Sequence, residues 1–154
     1  MTHAHHAVQP SVTRQALDAT RHCLTGCAIG EVVGLVISGA LGFSTEASVV
    51  TGTVLAFVFG YSFTFVPLLR GGMAVGRAAS LTLAADTISI VVMEAVDNLV
   101  VLFVPGAMAA GLDDPLFWGS LLVGLVIAFA AAFPVNRWLI ARGRGHALAH
   151  GAHA

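Results

Sequence analysis

The chain predicts an all-α fold, a four-transmembrane-helix bundle with both termini cytoplasmic. Three observations predict it. Four apolar stretches, roughly residues 24–43, 48–69, 80–104 and 116–136, divide the sequence, and each is near the roughly 20 residues that a bilayer requires. The composition is 57% hydrophobic and only 10% charged, with a mean hydropathy of +0.89, whereas soluble domains carry about 25% charged residues. The third observation is where the charge falls. There are seven arginines and no lysine. Arg14 and Arg21 precede the first stretch, Arg70 and Arg77 separate the second from the third, and Arg137, Arg142 and Arg144 close or follow the fourth. The other two connections hold Glu46, Asp113 and Asp114 and no positive charge. With an even number of spans all arginines share one face, and the positive-inside rule makes that face cytoplasmic. The expected location is therefore a bacterial inner membrane, with N-in and C-in topology. A formal net charge of -1 and the lack of a basic stripe give nucleic acid no footing.

Residues 1–21 read as a cytoplasmic tail and a charged amphipathic segment, not as a signal peptide, because polar residues and Arg21 precede the first apolar run. The membrane domain is expected over 22–141, and a histidine-bearing cytoplasmic tail over 142–154. Helix 1 presents Gly26, Gly30, Gly34 and Ser38 at every fourth position. Helix 2 presents Gly52, Ala56, Gly60 and Thr64, and ends at Arg70-Gly71-Gly72. Helix 4 presents Ser120, Gly124, Ala128 and Ala132. Rows of small residues let backbones approach closely, which is how helices associate where lipid supplies no hydrophobic driving force. Helix 3 ends at Pro105-Gly106. Helix 4 opens on Asp114-Pro115, an N-cap carboxylate followed by proline at the first helical position. Trp118 and Trp138 lie about 30 Å apart along it, one indole for each interface, and Pro134 predicts a kink in its last turns.

Helix 3 carries Asp86, Glu94, Asp97 and Asn98 inside an apolar span. Around a helical wheel Met93 and Asp97 fall within about 20° of Asp86, and Glu94 at about 80°. The opposite face holds Ile88, Val92, Ala95, Leu99 and Phe103. The stripe is expected to face the bundle, because lipid cannot solvate a carboxylate. A charge at mid-bilayer costs at least ~2.5 kcal/mol. Glu94 and Asp97 are neighbours at i, i+3, so either one keeps a proton or a cation sits between them.

Cys23, Cys27 and Glu31 recur at four-residue intervals on helix 1, with His22 beside Cys23. Two thiolates one turn apart with an imidazole suit copper(I) or zinc. His146 and His150, a second i, i+4 pair on the same side, are candidates to complete that site. Plain packing of two small apolar side chains is the competing account, with thiol redox chemistry a third; a structural disulfide is not expected in the reducing cytoplasm. Counted from the span ends, Glu31 and Asp86 lie at similar depth and are expected to face one another. His22, Cys23, Cys27, Glu31, Asp86, Met93, Glu94 and Asp97 would then form a ladder of cation ligands, with Asn98 beside it.

The segments HCLTGCAIGEVVG (22–34), LAADTISIVVMEAVDN (83–98), DPLFWGSL (114–121) and FPVNRWLIARGRGH (133–146) resemble those of a bacterial family of small four-span membrane proteins known as a domain of unknown function. The resemblance runs from about Ala16 to His150 and implies a multi-pass helical protein in the lipid bilayer, with no activity attached. Three readings of function remain: a protein that binds or moves a transition metal or protons; a metal-delivery or redox assembly protein for a larger membrane enzyme; and an exporter similar to small multidrug resistance transporters, against which the one-sided arginines argue. A homo-oligomer and a larger membrane complex are both compatible with the sequence. No serine–histidine–acid triad or phosphate-binding glycine loop points to an enzyme.

Overall fold

The computed structural model describes residues 11–142 and is all α among them: α1 (Val12–Leu41), α2 (Thr45–Arg70), α3 (Val75–Phe103) and α4 (Pro115–Ala141), with one 3-10 turn at Ala107–Ala109. The helices form an up-and-down bundle in which α1 neighbours α2 and α4, and α3 closes the ring between them. A diagonal contact joins α1 to α3, the two helices that run parallel. Arg144, His146 and His150, and the N-terminal His3, His5 and His6, lie outside the described residues.

Three of the four helices, α1, α2 and α4, are long and apolar enough to cross a membrane. Helix α3, expected as the third span, is not among them. Its 29 residues would suffice, but Asp86, Glu94 and Asp97 interrupt its apolar character. The outer surface fits a lipid setting. Val36, Leu102, Leu122 and Val126 are all about half exposed or more, at 49%, 63%, 64% and 61%, an arrangement water disfavours.

The expected small-residue rows on α1, α2 and α4 are all buried. Those of α1 and α2 mesh in antiparallel register: Gly26 against Gly60, Gly30 against Ala56, and Gly34 against Gly52. A methyl group added at Gly34 would sit 2.6 Å from the Gly52 Cα, which shows how near the backbones come. α1 packs more extensively on α2 than on any other helix. The row of α4 faces the centre of the bundle, with Ala128 and Ala132 in the core beside Cys27 and Met93.

Helix ends follow local chemistry. Ser11 and Ser44 cap α1 and α2 through their hydroxyls, and the Asp114 carboxylate accepts from the Leu116 N–H at 2.8 Å. Gly42, Gly72 and Gly106 take the left-handed conformation at turns that follow the first three helices. α4 continues helically through Pro134 to Ala141. Trp118 and Trp138 are both half exposed at its two ends. The Trp118 indole donates to the Leu112 carbonyl at 2.9 Å, and Arg142 lies 4.1 Å over the Trp138 ring.

Helix α1 differs from expectation at its start. It begins at Val12, about three turns before residue 24. The charged segment read as a tail is continuous with the span, because Ala16 and Ala19 are buried against Ile140 and Phe133 of α4. Arg14, Asp18 and Arg21 are exposed on the other side of the same turns.

Candidate carboxylate site

The stripe on α3 faces inward. Asp86, Glu94 and Asp97 are 0%, 5% and 6% exposed, while Ile88, Leu99 and Phe103 on the opposite face are 48%, 50% and 77% exposed. Met93 is buried on the same side, and Asn98 is half-buried at its edge. The Asn98 amide donates to the Glu94 carbonyl at 2.8 Å and reaches the Thr53 hydroxyl of α2 at 3.5 Å.

The parallel pair α1 and α3 meets in successive rungs. Cys23 lies beside Asp86 and Ser89, Cys27 beside Glu94, and Glu31 beside Asp97 and Glu94. Glu31 therefore does not face Asp86, as the depth count had suggested. Helix α1 starts at Val12 rather than near residue 24. From Val12, Glu31 lies about 28 Å along α1, and from Val75, Asp97 lies about 33 Å along α3, whereas Asp86 is only about 16 Å along it.

His22 leaves the ladder. Its side chain is exposed, with Nδ1 2.8 Å from the Asp18 carbonyl and the ring 6.4 Å from that of Phe63. A carbonyl only accepts, so Nδ1 carries the proton. Residue 22 is one position, about 100°, around the helix from Cys23, which turns it away from the inner face. His146 and His150 lie outside the described residues. Among the described residues no three His, Cys, Asp or Glu side chains are placed to hold a metal ion; this is true of His22, Cys23, Cys27 and Glu31, and equally of Glu31, Glu94 and Asp97. Both cysteines are unbridged and 2% exposed. They are expected to resist a thiol reagent in the folded protein and to react with it on denaturation; rapid labelling of native protein, read by mass spectrometry, would contradict their burial.

Glu31, Glu94 and Asp97 line a cavity of ≈ 110 Å³ together with Thr53, Asn98 and Ser120. The cavity reaches toward the bundle end formed by the α1–α2 and α3–α4 connections, where Thr45, Ser48, Ala107 and Met108 contribute to its wall. That end carries no arginine among the described residues. All six described arginines are exposed at or near the opposite end. Within the cavity Glu31 lies beside Asp97 and Glu94, and among the described residues no arginine is a partner of these three carboxylates. No hydrogen bond reaches either Glu94 oxygen or Asp97 Oδ1. The Cys27 thiol and Thr53 hydroxyl neighbour Glu94 without meeting hydrogen-bond geometry. Leaving a buried polar group unmet costs about 1–3 kcal/mol, and more for a charge.

Three contributors were missed in the sequence. Gly124 of α4 provides the recess that Asp97 occupies, for a Cβ there would overlap the Asp97 carboxylate. Thr53 reaches the site from α2. Asn136 donates from Nδ2 to Thr20 at 2.9 Å and Ser89 at 3.0 Å, and all three are buried. An asparagine four residues beyond a buried small-residue row was the available signal for Asn136, but its neighbours Arg137 and Trp138 mark the interface and hid it.

An all-helical bundle with membrane-length apolar helices and an acidic, cation-poor interior defines a class: a multi-pass helical membrane protein with polar groups at its centre. Residues 13–145 match the family described as Domain of unknown function (DUF4396), and the chain belongs to that family. No curated protein and no solved structure matches the chain.

Proposed function

We propose that the chain is a four-span protein of the bacterial inner membrane that takes up a cation in the carboxylate cavity between α1 and α3. In this reading α3 is the fourth span, shielded from lipid by its apolar outer face. Both termini are cytoplasmic, and the cavity is entered from the external face. One observation carries the proposal: three carboxylates share a cavity with no basic residue among their described partners, and both Glu94 oxygens and Asp97 Oδ1 lack a hydrogen bond of good geometry, with only the Cys27 thiol, the Thr53 hydroxyl and Glu31 close by. Such a group reaches low net charge by holding a proton or a cation. Donors around the cavity are carboxylate, hydroxyl and amide oxygens, with Met108 the one sulfur along the described wall. Oxygen donors favour a proton or a hard cation over copper(I).

The test combines infrared titration of carboxyl groups with calorimetry against sodium, calcium and zinc, on purified protein in detergent. A protonated-carboxyl band that titrates, or a saturable heat with one ion, is expected, and Glu94→Gln with Asp97→Asn should remove it while the fold persists. A wild-type protein with no titrating interior carboxyl and no ion heat would be a structural protein, and the proposal would be wrong. Topology has its own check. Reporter fusions at residues 10, 75 and 150 should read cytoplasmic and those at 46 and 110 external; an external C-terminus would overturn the orientation.

A further inference from the structure

Beyond the cavity the polar groups continue. Cys27 and Cys23 lead down the inner face of α1 to Asp86 and Ser89 on α3, and Asn136 ties Ser89 to Thr20. Glu31 to Thr20 spans about 16 Å along α1. The string stops at Thr20 and Asn136, both buried, and the apolar layer of Ala16, Ala19 and Ile140 separates it from the arginine-bearing end. Every member from Cys27 to Thr20 is buried, with Asp86, Ser89 and Thr20 fully so. A carboxyl at 0% exposure is a costly group for a network that only fastens helices. Three membrane-length helices packed by small residues already supply the fastening.

We propose that the cation is a proton and that the cavity is the outer mouth of a path crossing the bundle to the Asp86–Ser89–Asn136–Thr20 cluster. The inference rests on the carboxylate cavity being a cation site. A proton from cavity water binds a carboxylate oxygen of Asp97 or Glu94. It passes the Met93 level by way of the Cys27 and Cys23 thiols or a transient water and is received by an Asp86 oxygen. The Asn136 amide, donating to both Ser89 and Thr20, holds the cluster without relaying, so the proton leaves Asp86 to water that enters when the Ala16–Ala19–Ile140 layer opens. Only S–H and O–H bonds form and break, and no metal need be dehydrated. The groups facing the path are few. α1 offers Cys23, Cys27 and Glu31; α2 offers Tyr61, whose hydroxyl is paired with Thr87 at 2.9 Å; α3 offers Asp86, Glu94 and Asp97; and α4 offers Asn136, with Arg137 pointing outward. The apolar interruption at Ile90 and Met93, both buried, is the step that limits leakage.

The experiment uses the full chain in liposomes holding a pH-sensitive dye, with valinomycin and potassium to compensate charge. Wild type should collapse an imposed pH gradient. Asp86→Asn should bring the rate down to that of protein-free vesicles while the cavity carboxyls still titrate by infrared. Cys27→Ser, which keeps a proton-bearing group, should retain flux that Cys27→Val loses. If Asp86→Asn fails to fold, Ser89→Ala and the Cys27 pair carry the same test. Wild-type vesicles that hold the gradient although the cavity titrates would mean a one-sided site and overturn the path. So would unchanged flux in Asp86→Asn. Absence of a titrating carboxyl in wild type would remove the cavity reading and the path together.

Discussion

Gly30→Ala should be the most damaging single methyl added to this protein. A Cβ at residue 30 would overlap the backbone nitrogen and Cα of Ala56 and lie 2.6 Å from the Leu55 carbonyl carbon. Both sides of that contact are helix backbone, so no side chain can rotate away and α1 must separate from α2. Overpacking typically costs 1–3 kcal/mol, and with the obstruction entirely backbone a loss of about 3 kcal/mol is expected. Gly39→Ala is the control. Nothing lies within 4 Å of its added methyl, so it should be neutral or gain up to about 1 kcal/mol from helix propensity. Thermal unfolding of the two variants in the same detergent checks the contrast; equal melting temperatures would mean that the two helices do not pack through this row.

Gly124→Ala is the second large effect, and it acts on the site. Its methyl would take the place of the Asp97 carboxylate, which is 6% exposed and has little room to move. The carboxylate must swing away from Glu31, so both stability and cation uptake should fall, the former by about 1–3 kcal/mol. Removing the obstruction from the other side separates the two losses. In an Asp97→Ala background Gly124→Ala should cost much less stability, giving a coupling of about 1–3 kcal/mol in a double-mutant cycle, while uptake stays lost. Additive effects would show that the two groups do not touch.

Much of this architecture was legible in the sequence, for identifiable reasons. Close approach is a chief means by which helices associate in lipid, so rows such as Gly26-Gly30-Gly34 had a narrow meaning. The 3.6-residue period placed Asp86, Glu94 and Asp97 on one face before any partner was known. Depth was harder to read. Arg14, Asp18 and Arg21 made the first turns of α1 look aqueous, although Ala16 and Ala19 on the other side of those turns are buried on α4. That hidden start moved Glu31 from the Asp86 level to the Asp97 level. Gly124 and Thr53 belong to the site, and Asn136 to the Ser89–Thr20 cluster beyond it, because of which helix faces which, a tertiary property that no single-helix pattern contains. His22 shows the converse: adjacency in sequence to Cys23 is about 100° of rotation on a helix and placed it outside.

The carboxylate cavity itself is most directly tested with dicyclohexylcarbodiimide, an apolar reagent that attacks protonated carboxyls shielded from water. Mass spectrometry of labelled wild-type protein should find the adduct on Glu94, Asp97 or Glu31, and labelling should fall as pH rises or as a competing cation is added. Adducts confined to the exposed Asp113, Asp114 and Glu46, or interior labelling indifferent to both pH and cations, would contradict the account.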